Sequence, residues 1–178
     1  MDYSTEKLTQ AKGYLQSVGR GNGVLLDIIN LEQLDILHLP YQDHSFDVAL
    51  ILNNTLGNLP GSNLQDGVKQ RRIALKEARR ILKETGILIV SVYNSARLTE
   101  EDTYGEVFEL DHKRSNLQSF DLVIRYKATD HTYYSHWFSE EELRNLLYDV
   151  SFRVLDVEHR RKRIVIAAMK KQRGRSQL

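Results

Sequence analysis

Apolar residues recur along this chain with two different periods. From 5 to 17, Leu8, Ala11 and Leu15 fall three and four residues apart, the spacing of one helical face, with Ser4 or Thr5 available as N-cap. Gly19-Arg20-Gly21-Asn22-Gly23 then breaks the helix. Val24-Leu25-Leu26 and the stretch from Ile28 to Leu39 predict a strand ending near Leu34 and a turn closed by Pro40. The run from Phe46 to Leu52 is apolar on both alternating faces apart from Asp47, the pattern of a central parallel strand covered on both sides. It stops at Asn53-Asn54-Thr55.

Residues 64–84 predict a long helix whose stripe is Ala74, Leu75, Ala78, Ile81 and Leu82, with most arginines and lysines off it. Gly86 follows, and Ile87-Leu88-Ile89-Val90-Ser91-Val92 supplies a second buried strand. Residues 95–135 are polar, aromatic and irregular, with short strands expected at 106–110 and 122–127. Ser139 with Glu142 is a capping-box pattern opening a helix that places Leu143, Leu146, Leu147 and Val150 on one face. Strands at 153–158 and 164–169 close the chain around the basic hairpin turn His159-Arg160-Arg161-Lys162-Arg163. This order predicts an α/β fold: a mostly parallel sheet with helices on both faces and a C-terminal antiparallel hairpin. Ligands of such sheets sit at the carboxyl ends of the strands, which directs attention to Asp35, to Asn53 through Leu56, and to Tyr93-Asn94.

Composition narrows the class. A chain of 178 residues, 41% hydrophobic and 28% charged, is expected to form one soluble domain over 1–170, followed by a basic disordered tail at 171–178. There are no cysteines, hence no disulfide, thiolate metal site or cysteine nucleophile. No apolar run has the length of a membrane span, and Met1-Asp2-Tyr3-Ser4-Thr5-Glu6-Lys7 lacks the pattern of a signal peptide, so the expected location is cytoplasmic. The formal charge of +1 conceals an asymmetry: eight of the 25 Lys and Arg, and none of the 24 acids, lie in 159–178. That basic end can be a solvated terminus or a contact for RNA phosphates.

The segment from Asp35 to Val48 (Asp35-Ile36-Leu37-His38-Leu39-Pro40-Tyr41-Gln42-Asp43-His44-Ser45-Phe46-Asp47-Val48) resembles the D-x-x-x-L-P-[FY]-x-D-x-S-F-D-V stretch of class I S-adenosylmethionine-dependent methyltransferases. Ala74 through Gly86 is similar to the family's helix and R-x-L-K-P-G-G turn, with Glu84-Thr85 where Pro-Gly is usual. His136-Trp137-Phe138-Ser139 and Phe152-Arg153-Val154 are similar to its closing helix and strand. The resemblance implies a Rossmann-like sheet and S-adenosylmethionine as cofactor. It also implies that the family's first strand, G-x-G-x-G loop and following helix have no counterpart here, an N-terminally truncated domain. Asp2 then stands in the place of the acid that bonds the ribose hydroxyls, with Tyr3 beside it. Gly19 through Gly23 fits the bare glycine pattern, but a helix precedes it and strand-like residues follow, so an ordinary connector is the better reading.

Candidate chemistry follows from these positions. Asp35 can accept from the adenine amino group or serve as a turn aspartate, and Ile36 can present its N–H and side chain to the ring. Asn53 and Asn54 can reach cofactor or substrate through donor and acceptor together, or only cap the strand end. Tyr93, Asn94, His136 and Trp137 are candidate substrate residues. His136 is the candidate base, and the aromatic rings, with Tyr133 and Tyr134, can wall a pocket or pack in the core. Histidines and acids such as His38, Asp43, His44 and Asp47 lack zinc-helix spacing, so no metal is expected. The expected activity is methyl transfer to a nitrogen or oxygen of a small molecule. The alternatives are methylation of RNA or tRNA, and a non-catalytic chain that joins a homodimer or another polypeptide through exposed sheet edges.

Overall fold

The computed structural model describes residues 5–19, 29–59, 64–99, 108–128 and 131–171. They form two compact units, Met1–Leu39 and Pro40–Leu178.

The first unit holds helix α1, Thr5–Gly19, which runs two residues beyond the predicted end. Residues 29–35 carry no strand, against the expectation of one ending near Leu34. An extended segment becomes a strand only when its N–H and C=O groups enter a ladder. Residues 36–38 close a turn in which the Asp35 carboxylate accepts from the Leu37 N–H at 2.9 Å and the Asp35 carbonyl from the His38 N–H at 3.0 Å. Asp2, Tyr3, Ser4 and most of the glycine cluster lie outside the described residues.

The second unit contains β1 (Phe46–Ile51), α2 (Leu64–Ile81), β2 (Leu82–Tyr93), a 3₁₀ turn (Ser95–Arg97) and β3 (Phe108–Leu110). It continues with β4 (Asp121–Tyr126), β5 (His131–His136), α3 (Glu140–Asp149), β6 (Phe152–Arg160) and β7 (Arg163–Lys170). One sheet has the order β1-β2-β7-β6 and a second the order β3-β4-β5. β1 and β2 are parallel, with Leu50 opposite Ile89, and β7 pairs antiparallel with both β2 and β6. The terminal hairpin turns at Arg161 and Lys162, within the basic segment.

Helix α2 passes into β2 without a loop, ending three residues before the predicted boundary. Leu82 is the reason: it is sealed from solvent opposite Phe46, and Lys83 Nζ binds Asp47 at 2.9 Å, so strand pairing captures these residues from the helix. Leu88, Val90 and Val92 of β2 and Ile164, Ile166 and Ala168 of β7 form the sealed face, with α2 against β2 and α3 against β6. Alternate residues Ile87, Ile89, Val165 and Ala167 are half-buried. Leu110, Leu122, Ile124 and Trp137 form the core of the smaller sheet.

β1 departs from the two-sided cover its sequence predicts. Among the described residues it pairs with β2 alone, and Val48 and Leu50 are 49% and 59% exposed. An apolar strand edge of this kind favours association. Replacing Val48 and Leu50 together by threonine is expected to change stability by no more than about 0.5 kcal/mol. The same pair of changes should lower light scattering by concentrated solutions of the chain. Unchanged scattering would show that this edge is not a contact.

Candidate functional site

The carboxyl ends of β1 and β2 carry a crown of amides and aromatic rings. β1 ends in a turn where Asn53 and Asn54 both adopt left-handed backbone, φ 55° and 61°. Asparagine enters this region more readily than other residues with a side chain, which explains the doublet after an apolar strand. Thr55 Oγ1 closes the turn by donating to the Leu52 carbonyl at 2.7 Å.

Asn54 is buried and its amide is spent inside the protein. Oδ1 accepts from the Tyr93 N–H at 3.0 Å, and Nδ2 lies 3.1 Å from Ser135 Oγ, 3.2 Å from Asn58 Oδ1 and 3.3 Å from the His136 carbonyl. One side chain therefore joins the ends of β1 and β2 to β5. Gly57 completes the joint: its carbonyl accepts from the His136 N–H at 2.8 Å. Asn53 faces a different partner, its Oδ1 accepting from Arg163 Nη1 at 2.8 Å.

At the end of β2 the Tyr93 ring packs 4.9 Å from that of Trp137, whose indole is almost wholly buried. The Tyr93 carbonyl accepts from the Phe138 N–H at 2.9 Å. Asn94 is buried, caps the 3₁₀ turn through Oδ1 to the Ala96 N–H at 3.0 Å, and places Nδ2 3.3 Å from His159 Nδ1. The Asn94 N–H donates to the Lys162 carbonyl, which fastens the basic hairpin to the strand end. The structure thus gathers Asn53, Asn54, Tyr93, Asn94 and Trp137 around two adjacent strand ends.

His136 is 2% exposed and both ring nitrogens meet carboxylates, Nδ1 with Asp121 Oδ1 at 2.8 Å and Nε2 with Glu142 Oε1 at 2.9 Å. Burial pulls its pKa down, but the hydrogen bonds to Asp121 and Glu142 outweigh burial and hold it above the ordinary value. With a carboxylate at each ring nitrogen the protonated form is favoured, and an imidazolium donating on both sides has no lone pair with which to take a proton, an arrangement that suits a buried cation better than a base. Asp121 shows the converse: burial pushes its carboxyl up, and bonds from His136, Tyr134 and Ser119 hold it below the ordinary range. Partial burial, and then the bond to Asp121, push the Tyr134 hydroxyl up to about 12. Arg71, 1% exposed, donates to that hydroxyl at 3.4 Å and lies over the Phe138 ring.

The capping box at Ser139 is present in one half. Ser139 Oγ accepts from the Glu142 N–H at 3.0 Å, while the Glu142 carboxylate turns to His136. Asp121 and Arg71 escape sequence reading, as does the part Gly57 plays in the joint, while Arg163 is legible only as a member of the basic hairpin turn. Of the first two only Arg71 leaves a signal, since its position four residues before Leu75 and three before Ala74 places it on the apolar stripe. A groove of about 400 Å³ between α2 and α3, lined by residues including Arg72, Glu141, Asn145 and Asp149, contains none of the predicted site residues.

In the first unit Asp35 is exposed, and the Leu37 N–H, with His38 nearby, holds its carboxyl below the ordinary range. Ile36 beside it is half-buried. Among the described residues no group of three or more histidines and acids forms a metal cluster, and no helix is long and apolar enough to cross a membrane.

Comparison with known proteins bears on the family and the fold. The chain is 35% identical over 88 residues to an uncharacterised protein of Methanocaldococcus jannaschii, a match covering 49% of this chain and 34% of that protein. The chain thus spans about a third of the length of the curated relative it matches. In fold it is similar to a SAM-dependent methyltransferase from Methanosarcina mazei, at 24% identity and TM-score 0.57, covering 80% of this chain and 67% of the other. It is also similar to an S-adenosylmethionine-dependent methyltransferase from Clostridium acetobutylicum, at 17% identity and TM-score 0.66, covering 96% and 73%. The sequence profile of the methyltransferase domain matches residues 1–90, half of the chain, and on that match the chain belongs to the methyltransferase-domain family.

Proposed function

We propose that this chain serves in methyl transfer from S-adenosylmethionine to a nitrogen or oxygen of a small molecule in the cytoplasm. The observation that carries the reading is the crown of amides and rings at the carboxyl ends of the parallel pair β1 and β2, in a chain of the methyltransferase family. Ligands of α/β sheets bind outside those ends.

Within the first unit, the chemistry of Asp35 and Ile36 supports the adenine reading. Asp35 is an ionised, exposed carboxylate with acceptor capacity beyond its bonds to Leu37 and His38, suited to an exocyclic amino group, and Ile36 offers an apolar side chain for a ring face. Asp2 and Tyr3 are proposed for the ribose. Asn53, with Oδ1 held by Arg163, retains its amide N–H₂ as a donor. Asn54 contributes by fixing the Tyr93 backbone rather than by direct contact, since its amide is already bonded. When bound, S-adenosylmethionine supplies an electrophilic methyl group on a sulfonium. The chain's own part is to align the acceptor, with Tyr93, Asn94 and Trp137 as its proposed wall, and to keep water out.

Calorimetric titration of the chain with S-adenosylmethionine and S-adenosylhomocysteine tests the reading. Micromolar binding is expected, with a rise in thermal midpoint because a ligand held by the native state alone stabilises it. Asp35→Ala should weaken both ligands about tenfold, the loss of one hydrogen bond to a charged group. A folded chain that gives neither heat nor a midpoint shift would remove the methyl-transfer reading.

A further inference from the structure

Arg163 opens β7 directly opposite Tyr93 in the antiparallel register. Its guanidinium lies 5.9 Å from the centre of the Tyr93 ring, and its Nη1 donates to Asn53 Oδ1 at 2.8 Å. One side chain from the hairpin thus reaches the carboxyl ends of both parallel strands. A guanidinium carries five N–H donors in a planar fork and keeps its charge at every physiological pH. Here one donor meets a neutral amide, and among the described residues no carboxylate pairs with the group. Two acids that pair with side chains of the same hairpin are engaged elsewhere: Glu140 holds His159 and Arg144, and Glu158 holds Arg160. The Tyr93 ring, itself packed on Trp137, braces the fork from one side.

We infer that Arg163 anchors a carboxylate of the methyl acceptor, which makes the acceptor a small amino or hydroxy acid. The word acceptor rests on the methyl-transfer reading; the carboxylate anchor itself does not. A carboxylate matches the planar fork through two parallel N–H···O bonds. Of the basic hairpin residues Arg163 is the one seated between an amide and an aromatic ring at the strand ends, a setting that suits one compact anion, whereas a nucleic-acid strand is held by several phosphate contacts along its length. No bond forms or breaks at Arg163; it is a positioning residue.

The chain has a single tryptophan, Trp137, whose ring is one aromatic contact away from the fork, so its fluorescence reports occupancy. Titration with L-amino acids and with the matching amino-acid amides is expected to give a saturable change in emission, about tenfold tighter for the acids. Arg163→Gln should abolish the difference, and Arg163→Lys, which keeps the charge without the fork, should keep part of it. An equal response to acid and amide, or an acid response that survives in Arg163→Gln, overturns the anchor whether or not S-adenosylmethionine binds. Calorimetry with S-adenosylmethionine and with 5′-methylthioadenosine, which lacks the amino-acid end, separates the two sources of carboxylate. Arg163→Gln is expected to change both affinities by the same factor, since its bond to Asn53 bears only on the part the two ligands share. A loss confined to S-adenosylmethionine assigns Arg163 to the cofactor's own carboxylate and overturns the acceptor assignment, as does a tighter response to a short RNA than to any amino acid. An acid-selective response in a chain that binds no S-adenosylmethionine upholds the anchor and removes the methyl-transfer reading.

Discussion

Gly57→Ala is expected to cost about 3 kcal/mol of stability, near the upper end of what overpacking a folded interior costs. A Cβ at this position would press on the His136 carbonyl oxygen and come within 2.5 Å of Asn54 Oδ1 and 2.7 Å of Nδ2. None of these atoms is the free end of a flexible chain. The carbonyl belongs to the residue whose N–H is bonded to Gly57, and the amide is held by Tyr93, Ser135 and Asn58. Relief therefore requires the turn at 53–58 to part from β5, with loss of several hydrogen bonds at once. Gly13 is the control, because a Cβ there meets nothing within 4 Å. Gly13→Ala in α1 should be neutral or stabilising by up to about 1 kcal/mol, since alanine is the better helix former. Urea unfolding of both variants beside the parent checks the pair. A Gly57→Ala loss below that of an ordinary surface change would show that the joint yields.

Removing the buried cation should be nearly as costly, and its cost should depend on pH. His136→Gln is expected to destabilise the chain by about 3 kcal/mol, the lower end for breaking a buried charge pair, because Asp121 is left with one fewer donor in an enclosed site. The imidazole pKa is raised in the folded chain from an ordinary value of 6.5, so the folded state binds the proton more tightly than the unfolded one. Its contribution is fully present below pH 6.5 and is lost as pH rises through the folded value. Asp121 acts in the opposite sense. Its folded carboxyl lies below the ordinary 3.8, so its contribution is present above that pH and disappears as pH falls through the depressed value. The gap in unfolding free energy between parent and His136→Gln should accordingly be largest between about pH 4 and 6.5 and shrink on the alkaline side. A gap that widens as pH rises above 7 would mean that the folded chain holds His136 neutral.

Elements whose pattern is local were legible in the sequence. α2 shows its stripe from Ala74 to Ile81, and β7 alternates buried and half-buried residues as Ile164 through Met169 suggests. The terminal hairpin and the Ser139 cap were likewise in view. What escaped depends on partners far along the chain. β5, His131 to His136, has a polar and aromatic sequence without clean alternation, and becomes a strand because β4 pairs with it from Asp121 to Tyr126. Of the strand expected before Leu34, residues 29–34 join no ladder, while Val24 through Ile28 lie outside the described residues. At the site, position was easier to read than duty. Asn53, Asn54, Tyr93 and Asn94 stand at strand ends as their place in the chain suggested, yet nothing in the sequence says that Asn54 is bonded on every side or that His136 sits between two acids. Those facts arise from Ser135, Asp121 and Glu142, which lie 81, 15 and 6 residues away from their partners.

The strand order β1-β2-β7-β6 has a consequence for biosynthesis. A polypeptide leaves the ribosome N-terminus first, and β1, α2 and β2 can form their parallel unit as soon as Tyr93 has emerged. The strand that must lie against β2 is β7, which follows every other element of the sheet. Throughout translation of the intervening segment the ladder of β2 from Ile87 to Tyr93 therefore waits for its native partner, which arrives only with Arg163 to Lys170.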